Sequence, residues 1–188
     1  FFHHDKWAWS KLFLPGYSLG APPSRSNPEG QPWGYPLLDP RTFFSTHEDG
    51  RRLPGPSLHL VSARVGKLLS EFDGIRIDHP HGLVYPWVYR SDDPDPLHAV
   101  QNGARLYAAP GLEDHPLLSP MALVQPGQLT TDANCPRYGD EYVRELTSAQ
   151  VDRFASVLDS ILEQADAHGR SRNDILCEVL STWPAPLK

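Results

Sequence analysis

The segment Phe72-Asp73-Gly74-Ile75-Arg76-Ile77-Asp78-His79 has the residue types and spacing of a catalytic carboxylate. Ile75 and Ile77 are β-branched and suit a short buried strand. Arg76 stands two positions before Asp78, so strand alternation sends both side chains to one face. A neighbouring guanidinium favours the ionised form of a carboxylate. An ionised, oriented carboxylate at the C-terminal end of a strand can serve as a nucleophile. An ordinary structural Arg–Asp pair would show the same pattern, so the rest of the chain must decide between the two.

A second carboxylate occupies a matching place. Asp174-Ile175-Leu176-Cys177-Glu178-Val179-Leu180 reads as another buried strand, with Glu178 near its C-terminal end. Each strand follows an amphipathic helix. In the first, Leu58, Val61, Val65, Leu68, Leu69 and Phe72 recur at helical spacing, with Ser57 as N-cap and Asp73-Gly74 as the stop. In the second, Thr147 and Gln150 form a capping box, and Val151, Phe154, Val157, Leu158, Ile161 and Leu162 line one face up to Gly169. Two helix–strand units that both end in acids predict an α/β fold, specifically the middle strands of a partial (β/α)8 TIM barrel. No Gly-rich phosphate loop follows either strand, which argues against a nucleotide-binding doubly wound sheet.

Residues 20–56 read as a long Pro/Gly loop in which Gln31, Trp33 and Tyr35 speak against simple disorder. Residues 90–170 read as an insertion or lid that ends in a barrel helix, with Leu106–Pro110 as a short strand or lid segment. The chain has 188 residues, the length of one domain. It has 20 prolines, about twice the usual share. A net charge of −6 argues against a nucleic-acid backbone as partner. No apolar run approaches the ~20 residues that span a membrane. Two cysteines, Cys135 and Cys177, fit reduced thiols in a cytoplasmic protein. His3, His4 and Asp5 are adjacent rather than spaced as metal ligands, so no metal site is expected there. Phe1 in place of Met suggests a processed product or a piece of a longer chain.

With these residues in hand, the chain resembles the 4-α-glucanotransferases, the amylomaltases or disproportionating enzymes of glycoside hydrolase family 77. Three segments carry the likeness. Gly20-Ala21-Pro22-Pro23 and Gly30-Gln31-Pro32-Trp33-Gly34-Tyr35-Pro36 look like the family's Pro/Gly signature. Arg76-Ile77-Asp78-His79, with Gly82 beyond it, looks like its nucleophile motif, and Leu176-Cys177-Glu178 looks like its acid/base strand. Ser24, Tyr35 and His81 depart from the residues common in relatives.

The resemblance implies transfer of α-1,4-glucan segments between maltooligosaccharides by a retaining double displacement. It assigns Asp78 as nucleophile and Glu178 as acid/base, with Cys177 and Val179 as apolar neighbours suited to that role. Arg76, His79, Gln31 and Trp33 would bind sugar, and Tyr35 and Trp87 are further candidate platforms. Neither metal nor cofactor is implied. A third catalytic aspartate would lie beyond residue 188, so the chain alone is expected to be inactive. The competing readings are an α-glucan hydrolase, a non-catalytic glucan-binding protein, and a metal-dependent hydrolase using His3, His4, His79 and His81.

Overall fold

The computed structural model describes residues 1–178 and 185–187. In chain order its strands are β1 (Tyr17–Ala21), β2 (Gln31–Tyr35), β3 (Phe44–Thr46), β4 (Arg52–Pro54), β5 (Ile75–Ile77), β6 (Trp87–Arg90), β7 (Ala104–Arg105) and β8 (Ile175–Cys177). Its α-helices are α1 (His3–Ala8), α2 (Pro56–Glu71), α3 (His81–Val84), α4 (Pro96–Gln101) and α5 (Ser148–Ala167).

The two helix–strand units are present. α2 begins at Pro56, whose fixed φ suits the first helical position, and Gly55 is its N-cap. Ser57 does not cap it. Its buried hydroxyl lies 2.5 Å from Thr42 Oγ1 and donates to the Leu12 carbonyl, tying the helix to the segment before it. Leu58, Val61, Val65 and Leu69 form the buried stripe. Leu68 falls at the rim of that stripe and is exposed, as is Phe72, because the backbone has already turned extended there. α5 has the expected capping box: Thr147 Oγ1 accepts from Gln150 N at 3.3 Å and Gln150 Oε1 accepts from Thr147 N at 2.8 Å. Val157, Ile161 and Ala165 of α5 meet the α2 stripe in one apolar cluster, with Ile75, Ile77 and Ile175 against it. Each fully buried aliphatic side chain of this kind contributes about 1.5–3 kcal/mol.

β5 and β8 are direct parallel neighbours, pairing Ile75 with Ile175, Arg76 with Leu176 and Ile77 with Cys177. Their entry requires a glycine, since a Cβ on Gly74 would stand 2.5 Å from the Asp174 carbonyl oxygen. Neither strand is buried on both faces as expected. The two helices cover the isoleucine face, while Arg76 and Leu176 point outward and Leu176 is 63 % exposed. Positions 179 and 180 of the expected second strand lie outside the described residues.

The chain is mixed α/β, but the described residues close no barrel. The largest sheet is antiparallel, in the order β2-β1-β6-β7, and β3–β4 form a separate hairpin. The expected loop 20–56 therefore contains the strands β2, β3 and β4. β2 gives no strand signal because it contains Pro32 and Gly34, residues that strands tolerate mainly at an edge, and β2 is an edge strand. Leu106, Tyr107, Ala108 and Ala109 form core rather than lid, packed in one cluster with Tyr85 and Phe154. Trp87 is also core: it is 1 % exposed and its Nε1 donates to the Val100 carbonyl at 2.8 Å. Among the described residues no helix is long and apolar enough to cross a membrane.

Candidate active site

Because β5 and β8 run side by side in the same direction, both acids emerge at the same end of the pair. The ladder continues one step past β8, where Glu178 N donates to the Ile77 carbonyl at 3.1 Å. Carboxylate oxygens of Asp78 and Glu178 and a ring nitrogen of His79 all lie within 4.8 Å of one another. Arg76 extends over both acids, with Nη2 2.8 Å from Asp78 Oδ1 and 3.6 Å from Glu178 Oε1.

His79 shapes this cluster through its backbone as well as its ring. It has a φ of +52°, the left-handed region. There its N–H donates to Glu178 Oε2 at 3.2 Å, while its Nδ1 stands 3.6 Å from the same oxygen. Glu178 is thus held by a guanidinium and a peptide N–H, not by the apolar surroundings expected, and Val179 lies outside the described residues. Burial lowers the His79 pKa, outweighing the attraction of Glu178 and Asp78, so the ring is neutral near pH 7. Behind it lies the His81 ring, 4.1 Å away between centroids and 2 % exposed. Burial, aided by His79 and Arg105, pushes the His81 pKa down to about 3.

The other side of the site comes from β2. Trp33 meets His79 edge to face at 4.6 Å between centroids. Its Nε1 donates to Gln31 Oε1 at 3.0 Å, which leaves the Gln31 amide NH2 to donate elsewhere. Gln31, Trp33, Tyr35, Asp78 and His79 line a cleft of about 540 Å³. That volume falls within the ~300–1,000 Å³ typical of small-molecule sites. All six residues singled out from the sequence therefore converge here, whereas Trp87 does not. Leu19 and Leu83 also wall the cleft, and nothing in the sequence points to them, because an isolated leucine carries no signal of a site.

Asp78, His79 and Glu178 offer atoms that a metal ion could use, and among the described residues they form the one such cluster. Arg76 already supplies a positive charge to both carboxylates, which disfavours a second cation there. His3 and His4 are not part of the cluster.

Carboxylates this close match the ~5–5.5 Å spacing of retaining glycoside-processing enzymes and fall short of the ~6.5–9.5 Å of inverting ones. The model of the family described as 4-alpha-glucanotransferase matches residues 3–173. The chain belongs to this family, whose members are enzymes acting on α-1,4-glucans. The match includes Gln31, Trp33, Arg76, Asp78 and His79, and ends five residues before Glu178. No curated protein matches the chain significantly.

Proposed function

We propose that Asp78 and Glu178 carry out 4-α-glucan transfer by retaining double displacement. A carboxylate oxygen of Asp78 attacks the anomeric carbon of a bound glucose unit. The glycosidic bond breaks as Glu178 gives its proton to the departing 4-oxygen. The incoming sugar's 4-hydroxyl then loses its proton to Glu178, attacks the same carbon and releases the Asp78 carboxylate. The observation that supports this reading best is the convergence of two carboxylates, 100 positions apart in the chain, within 4.8 Å.

The neighbouring residues act on the sugar rather than on the bond. Arg76 donates to the acids and to hydroxyls beside them. Neutral His79 can donate one hydrogen bond and accept another. Trp33 offers an apolar ring face to a pyranose, and the Gln31 amide donates to a sugar oxygen. In this reading β5 and β8 are neighbouring strands of a (β/α)8 barrel, residues 20–56 form one wall of its mouth, and residues 90–170 include an inserted segment before the helix of the second unit.

Incubation of the full-length enzyme with maltotriose tests the reaction, since the 188 residues alone are expected to be inactive. Glucose together with oligosaccharides longer than the substrate is expected. Products that are only shorter would make the enzyme a hydrolase. Binding of glucan without turnover, unchanged in Asp78→Asn, would leave a binding module and sink the catalytic assignment.

A further inference from the structure

We propose that Tyr35 is a second sugar platform, placed further along the cleft than Trp33, and that it makes the site favour longer α-glucans over short ones. The proposal rests on the glucan reading above and extends it to chain length. β2 does not run regularly against β1. Leu19 pairs with Tyr35 and Ala21 with Gln31, so β2 uses two more residues than β1 between those pairs. Gly34 absorbs the irregularity with a φ of +74°, a conformation that glycine adopts freely. Bulges of this kind redirect side chains and recur beside active sites. Across it the two-residue alternation of a strand is kept, and Trp33 and Tyr35 line the same cleft.

The two aromatic residues serve different ends of it. Trp33 touches His79 and hydrogen-bonds Gln31, at the end where the carboxylates lie. Tyr35, with Leu19, Leu83 and Phe1, also lines an adjoining apolar pocket whose described lining includes neither Trp33 nor a carboxylate. It is 44 % exposed, so its ring has open surface. Phe2 meets it edge to face at 5.8 Å and 87°, which restrains the ring. A restrained, open aromatic ring with apolar walls and no acid nearby can hold the C–H face of a pyranose, and cannot cleave it. Its ligand is a glucose unit of the same oligosaccharide, at a distance from the scissile bond.

Calorimetric titration of the protein with maltose and with maltoheptaose tests this, using wild type, Tyr35→Phe and Tyr35→Ala. Wild type and Tyr35→Phe should bind maltoheptaose alike. Tyr35→Ala should bind it about five-fold more weakly, the size of one lost aromatic contact, with maltose affinity unchanged. If Tyr35→Ala alters neither sugar, or weakens both equally, the platform is refuted while the glucan reading stands. If wild type binds no α-glucan, both fall together.

Discussion

The first helix–strand unit, α2 with β5, and the second, α5 with β8, are built from the same parts: a helix with one apolar stripe, a glycine in or near the turn, and a three-residue strand with an acid just past its end. Their stripes pack on each other, and their strands pair in register. The acids nevertheless differ. The Asp78 side chain is 69 % exposed and pairs with Arg76 at 2.8 Å. The Glu178 side chain is 32 % exposed, lies further from Arg76 and accepts the His79 peptide N–H. The shared scaffold brings the two acids to one place, and the turn after β5 sets them apart. That left-handed turn at His79 belongs to the first unit but holds the acid of the second. In the proposed double displacement, the open carboxylate would have room for an anomeric carbon, and the one held by the backbone would have a fixed direction for a proton.

The sharpest way to break this distinction is to remove each acid from the full-length enzyme and let azide take its place on an activated donor, α-maltosyl fluoride. With Asp78→Ala, azide should attack the donor directly and give the β-azide by single inversion. With Glu178→Ala, azide should attack the glycosyl-enzyme and give the α-azide. On maltotriose, Glu178→Ala should lower kcat about 10²–10⁴-fold. Chromatographic identification of the anomers decides, and the opposite pattern would exchange the two roles.

Gly74→Val acts on the pairing that both units share. Its side chain would press on the Asp174 carbonyl, and unfolding in urea should show a loss of about 1–3 kcal/mol. Unchanged stability would mean that the strands separate without cost.

The most local effect concerns the turn after β5 alone. His81 takes up a proton near pH 6.5 when unfolded but only near 3 when folded. As pH falls from about 6.5 toward 3, the unfolded state binds the extra proton and gains stability relative to the fold. The His81 contribution is complete above pH 6.5 and declines below it. His81→Phe should therefore show a shallower fall in Tm between pH 7 and pH 4 than wild type. Parallel curves would rule out burial of a neutral ring.

The parts of this arrangement that can be read from the chain are those written in local periodicity. The α2 and α5 stripes, the Thr147–Gln150 cap and the Arg76–Asp78 alternation each depend on residues within a few positions of one another. Contacts between distant positions are beyond such reading. That Arg76 also reaches Glu178, or that Trp33 abuts His79, depends on strands brought together by packing. Local signals also mislead. Pro32 and Gly34 mark a loop where an edge strand lies, and Ser57 looks like a cap because nothing nearby reveals its partner Thr42. Exposure of β5 and β8 on one face is hidden too, since Leu176 is as apolar as a buried residue would be.

The conformation of His79 has a cost for the molecule that carries it. A non-glycine residue in the left-handed region forfeits about 1–3 kcal/mol. Glycine there would relieve the backbone and keep the N–H that reaches Glu178, but would strip Trp33 and the cleft of an imidazole. Robustness of the backbone and the sugar contact proposed for His79 thus compete for one position.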